Sequence, residues 1–135
     1  MKIFVLEDSK ERIDWIKCNL NFADIDIAMD MCEIDNFKGE YDLLMLDHDL
    51  GDRQMVDSLD ENTGYEFCKW LVKNYQNKET DIVIQSHNPS GANAMKNYLI
   101  EHEFKNVLIL AFGELVKMWN IGTIKIWGKN KFNLA

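Results

Sequence analysis

Leu43-Leu44-Met45-Leu46-Asp47-His48-Asp49 decides the fold, because an unbroken apolar run there meets an abrupt polar end. A run without polar alternation is a strand buried on both faces, as strands of parallel sheets are. The reading places a strand over Asp42 to Leu46. The same grammar appears upstream, where Lys2 to Leu6 stops at Glu7-Asp8. It appears again downstream, where Asp81 to Gln85 stops at Ser86-His87-Asn88-Pro89-Ser90-Gly91. Asp24 to Met29, with Ile25 and Ile27 alternating with acids, and Val107 to Ala111 complete five strands.

Amphipathic stretches fill the gaps between these runs. Ser9 offers an N-cap before Ile13, Ile16, Cys18 and Leu20, and Trp15 widens that apolar face, so a helix is expected from about Ser9 to Leu20. Met31 to Phe37 reads as a short, weak helix ended by Gly39. Tyr65, Phe67, Trp70, Leu71 and Tyr75 have helical spacing within Thr63 to Tyr75. Pro89 suits the first turn of a helix running to about Glu101, and a further helix is expected near Glu114 to Trp119. Thr123 to Trp127 reads as a last extended piece, with Trp119 and Trp127 in packing roles. Alternation of this kind predicts an α/β, doubly wound, flavodoxin-like parallel sheet of five strands in the order 2-1-3-4-5, with a C-terminal extra strand. The expectation is one domain over 1–135. The long irregular stretch Gly51 to Asn62, carrying Asp52, Asp57, Asp60 and Glu61, departs from a calcium-binding EF-hand loop and has the length of a functional loop.

Composition narrows the function classes. The chain has 135 residues, and 15 basic against 23 acidic residues give a formal charge of −8. Such a surface repels phosphate backbone, so extended nucleic acid is not an expected partner. A small phosphorylated ligand remains compatible where a metal or backbone amides supply local positive potential. No apolar stretch approaches the roughly 20 residues of a membrane span, and Glu7-Asp8 interrupts the N-terminal run too early for a signal peptide. Cys18, Cys32 and Cys68 are widely spaced and suit a reducing compartment, so a cytoplasmic location is expected. The sequence leaves monomer and homodimer open. Its Asn-, Ile- and Lys-rich composition hints at an AT-rich genome such as a phage, which would make that cytoplasm the host's.

In doubly wound sheets, ligands bind beyond the carboxyl ends of the strands. The turns after the first, third and fourth strands therefore converge on one crevice, carrying Glu7, Asp8, Asp47, Asp49, His48, His87 and Ser86. Carboxylates this close need a cation, and hard oxygen donors suit Mg²⁺, Mn²⁺ or Ca²⁺. Asp8 and Asp47 are the expected ligands, with Glu7 and Asp49 assisting. His48 and His87 are the expected acid/base pair, with Asp49 orienting one of them. Asn88 or Ser90 can cap the helix that Pro89 opens, and Gly91 permits close approach, so Ser86, Asn88, Ser90 and Gly91 form the expected phosphate cradle.

The runs V-L-E-D and L-L-M-L-D, with a hydroxyl residue closing the fourth strand, resemble a two-component receiver domain across nearly the whole chain. The resemblance implies Mg²⁺ on Glu7, Asp8 and Asp47, phosphorylation of Asp47, Ser86 at the hydroxyl position and Gly64 opening a helix. The lysine that receivers carry after strand five has no counterpart in V-L-I-L-A-F-G, and Lys117 is the nearest basic residue. L-D-H-D-L-G (46–51), T-G-Y (63–65) and S-H-N-P-S-G (86–91), followed by Met95, are similar to the cyclic-phosphate-processing receiver-like family. That family usually has an Asp-Asp pair and a downstream Arg; here Glu7 takes the first place and Arg12 matches the second.

The resemblance implies a substrate class from RNA-repair and nucleotide-conflict settings. The expected activity is a metal-dependent phosphoesterase opening a cyclic phosphate on a small nucleotide or an ADP-ribose-like molecule. Two alternatives stand beside it: a protein that sequesters such a ligand unchanged, and a signalling receiver phosphorylated on Asp47.

Overall fold

A computed structural model describes residues 1–51, 54–120, 124–127 and 131–134, with side chains described through Lys117 apart from residues 52–53. Five parallel strands, β1 (Lys2–Leu6), β2 (Asp24–Ala28), β3 (Leu43–Leu46), β4 (Asp81–Ile84) and β5 (Val107–Ile109), form one sheet in the order β2-β1-β3-β4-β5. The doubly wound architecture expected from the alternating runs is borne out. Helices α1 (Lys10–Asn19), α2 (Gly64–Asn74), α3 (Pro89–Glu101) and α4 (Phe112–Asn120) connect and cover the strands.

The strands divide the core by the two-residue period of their side chains. Phe4 and Leu6, Leu44 and Leu46, and Ile82 and Ile84 face one side, packing on Phe67, Cys68 and Leu71 of α2 and on Met95 and Leu99 of α3. Ile3, Val5, Leu43, Met45 and Val83 face the other, where Ile16 of α1 and Leu115 of α4 close over them. Because both faces are covered, β1 from Ile3 onward and all of β3 and β4 are buried. Truncating a side chain such as Leu46 to Ala would cost about 2–5 kcal/mol.

The expected weak helix over Met31 to Phe37 is a 3-10 helix, Met31–Asn36, capped by the Asp30 carboxylate on the Cys32 amide at 2.9 Å. Its tight winding delivers Phe37 into an aromatic cluster, 4.8 Å from Phe4 and 5.2 Å from Trp70, centroid to centroid. The expected C-terminal extra strand is present. β6 (Ile124–Trp127) does not extend the large sheet but pairs antiparallel with a strand the sequence did not announce, β7 (Lys131–Leu134). Thr123, the side chains of Trp119 and Trp127, and Asp52 lie outside the described residues. Among the described residues no helix is long and apolar enough to cross a membrane.

Candidate functional site

Strand register builds the acidic cluster. Leu6, Leu46 and Ile84 are in register across β1, β3 and β4, so the residues that follow them emerge side by side at one sheet edge. The ladder runs one step further, with the Asp47 amide on the Leu6 carbonyl at 2.9 Å and the Gln85 amide on the Leu46 carbonyl at 2.8 Å. One carboxylate oxygen each from Glu7, Asp8 and Asp47 then lie within 4.8 Å of one another.

Glu7 is fully buried and Asp47 nearly so. Burial pushes Glu7 above the usual carboxylate range. Burial, reinforced by the neighbouring Glu7, pushes Asp47 up to about 8. The Arg12 guanidinium opposes both shifts, with Nη1 3.6 Å from Glu7 and 3.9 Å from Asp47. The Gln85 amide donates to Glu7 Oε2 at 3.0 Å, while Gln85 Oε1 is buried with no partner among the described residues. Two buried carboxylates and a half-buried one, all hard oxygen donors that repel one another, are the set that a divalent cation of the Mg²⁺, Mn²⁺ or Ca²⁺ kind satisfies. The residues present therefore fit such an ion.

A cavity of about 480 Å³ opens in front of the cluster, and its described lining is Glu7, Asp8, Ser9, Arg12, Asp47, Asp49, Gln54, Met55 and His87. The two histidines expected to share this crevice part company. His87 is exposed and lines the cavity. His48 is fully buried behind the wall, with Nδ1 2.7 Å from Asp49 and Nε2 2.9 Å from the Ser58 hydroxyl. Burial alone would raise the Asp49 carboxyl, but bonds from His48, Asn88 and the Val56 and Met55 amides outweigh it and hold it below the usual range. An ionised Asp49 accepts a hydrogen bond from Nδ1–H, leaving Nε2 to accept from Ser58.

The expected phosphate cradle is likewise set back. Ser86 is buried and its hydroxyl accepts the Asn88 amide at 3.0 Å. Asn88 caps α3 by accepting the Gly91 amide at 3.0 Å, and its side-chain amide donates to Asp49 and to the Val56 carbonyl. Ser90 is exposed in the first turn of α3. Gly91 packs against the His48 ring. None of these four belongs to the described lining, so the capping turn supports the wall and His48. Gly64 sits against the Asp47 carbonyl, where a Cβ would overlap it, and this contact seats α2 beneath the cluster.

Sequence reasoning passed over Gln54, Met55, Ser58 and Gln85. Gln85, a polar residue closing an otherwise apolar run, was visible in the sequence; the other three are placed by a loop with no periodic signal. Met55 stands out because its φ is +51°, a left-handed conformation that costs a non-glycine residue about 1–2 kcal/mol. The other non-glycine residue in that region among those described, Glu103, ends α3, where a left-handed residue is routine. Met55 ends no helix. Its conformation is held by Asp49, which accepts the Met55 amide at 2.6 Å and the Val56 amide at 3.1 Å.

The sequence profile of the cyclic-phosphate processing receiver domain matches residues 1–101. The chain belongs to that family. No curated protein matches it in sequence. Among solved structures it is similar to the Mn²⁺-bound form of the response regulator Rcp1, with 16% identity, a TM-score of 0.58 and 94% of this chain and 99% of that one covered. It is also similar to the receiver domain of Francisella response regulator 1452, with 25% identity, a TM-score of 0.53 and 89% and 93% coverage. A third is the response regulator TrrA from Thermotoga maritima in complex with Mg²⁺ and BeF, with 18% identity, a TM-score of 0.54 and 89% and 96% coverage. The chain thus carries the receiver fold that its motifs implied.

Proposed function

We propose that the protein is a metal-dependent phosphoesterase that opens a cyclic phosphate on a small nucleotide or ADP-ribose-like molecule. The observation that carries this reading is the meeting, in one cavity, of the Glu7, Asp8 and Asp47 carboxylates with the Arg12 guanidinium and the exposed His87. Asp8 and Asp47 would hold the ion, with Glu7 completing the negative field. A divalent ion there would polarise a non-bridging phosphate oxygen and supply a bound water as nucleophile.

The chain's own groups do the rest. Arg12, ion-paired with Glu7 and Asp47 on the same cavity wall, adds positive charge for the phosphate. His87, which lines the cavity, accepts the proton that the attacking water loses and passes it to the departing alkoxide. His48, bonded at both nitrogens, positions Asp49 and the loop. Asp47 must lose its proton for the ion to bind, and a cation supplies the driving force that burial withholds.

The signalling reading has its own support. The fold is shared with a response regulator crystallised with Mg²⁺ and BeF, and Asp47 occupies the end of β3. Against it stands the segment Leu110-Ala111 after β5, which offers no lysine to the cavity. Incubation with cyclic phosphates and Mn²⁺ or Mg²⁺, followed by phosphorus NMR, tests the esterase. A small phosphodonor and intact-mass measurement test the receiver, for which a stable adduct abolished by Asp47→Asn is the expected signature.

A further inference from the structure

We infer that Gln54 and Met55 are specificity-determining residues that read the organic part of the ligand, with the Met55 thioether meeting the face of a nucleobase. The inference rests on the esterase reading above and extends it to the side chains that select the substrate. Three observations carry it. Among the described lining residues of the acidic cavity, Met55 is the one hydrophobic side chain, and it is 66% exposed. Among the described lining residues its neighbours are polar or charged, so most of this apolar side chain faces the cavity uncovered. It suits a ligand that is charged at one end and apolar at the other.

The display is also imposed. Met55 holds a left-handed backbone because Asp49, itself tied to His48 and Asn88, fixes its amide and the next one. Strained residues of this kind persist where the surroundings over-determine them, and they gather at ligand sites. Finally, the cavity's volume of about 480 Å³ falls within the range that holds organic ligands and exceeds what a lone phosphoryl group needs. A flexible, polarisable thioether makes favourable contact with aromatic rings of varied shape, and Gln54 beside it offers both a donor and an acceptor to a base edge.

The test compares adenosine 2′,3′-cyclic phosphate with ethylene phosphate, a cyclic phosphate lacking sugar and base, on the full chain with Mn²⁺. Wild type should prefer the nucleoside. Met55→Gly and Met55→Ala should each lower that preference about tenfold, the size of a lost sulfur–ring contact. Met55→Gly should melt at or above wild type because it relieves the left-handed backbone, a combination of gained stability and lost preference that a purely structural residue does not give. An unchanged preference in both variants would overturn the inference. So would a wild type that turns over both compounds equally well, which leaves the esterase reading standing. Binding or turnover of neither compound by wild type would overturn the assignment of Gln54 and Met55 to a nucleobase, and a panel of nucleoside cyclic phosphates then decides the esterase reading separately.

Discussion

The imidazole of His48 fills the space that a side chain at position 91 would need. A Cβ on Gly91 would approach His48 Cδ2 and Nδ1 to 2.6 Å, closer than carbon atoms tolerate. The ring cannot move aside easily, because Asp49 and Ser58 hold its two nitrogens. Gly91→Ala should therefore destabilise the protein by about 1–3 kcal/mol, the usual range for overpacking. Thermal denaturation should show a fall of several degrees; an unchanged midpoint would mean that the ring is not held as described.

The two histidines should separate by assay. His87→Ala removes an exposed cavity group, so turnover should fall about 10²–10⁴-fold with little change in melting temperature. His48→Ala leaves Asp49 and Ser58 without their partner in a buried site, so the melting temperature should fall first. Steady-state kinetics beside thermal denaturation checks both. A His87→Ala enzyme with turnover within tenfold of wild type would remove that residue from proton transfer.

Buried acids make metal affinity depend on pH. Asp47 titrates near 3.8 in the unfolded chain and at about 8 in the fold, so between those values the folded state keeps a proton that the unfolded chain has released. Stability without metal is then retained at low pH, declines as pH rises and levels off above about 8. A metal must displace the same proton, so Mn²⁺ affinity should rise up to about tenfold per pH unit toward the upper value and then flatten. Calorimetric titration across this range measures it. Asp47→Asn should abolish the affinity and flatten the decline in stability without metal, whereas pH-independent binding would exclude Asp47 as a ligand.

How much of this was legible follows from what each residue's neighbours are. Leu43 to Leu46 and Lys2 to Leu6 announced themselves because strands covered on both faces need no polar alternation. Glu7, Asp8 and Asp47 could be placed together because parallel register alone puts strand ends side by side. Which way His48 turns was not legible, since its direction is set by Gly91, Ser58 and Asn88, the last two 10 and 40 residues away. Sequence order groups His48 with Asp47 and Asp49, yet the ring points away from the cavity. Met55 was hidden for a similar reason: its conformation comes from Asp49 rather than from any preference of its own. β7 escaped because Lys131 to Leu134 has no clean apolar run.

The most direct test of the account is phosphorus NMR of adenosine 2′,3′-cyclic phosphate incubated with the protein and Mn²⁺. Conversion to a ring-opened monoester is expected, stopping on chelation of the metal and missing with Asp47→Asn. A cyclic ester left intact across a panel of nucleoside cyclic phosphates, together with a stable phosphoryl adduct on Asp47 from a small phosphodonor, would contradict it.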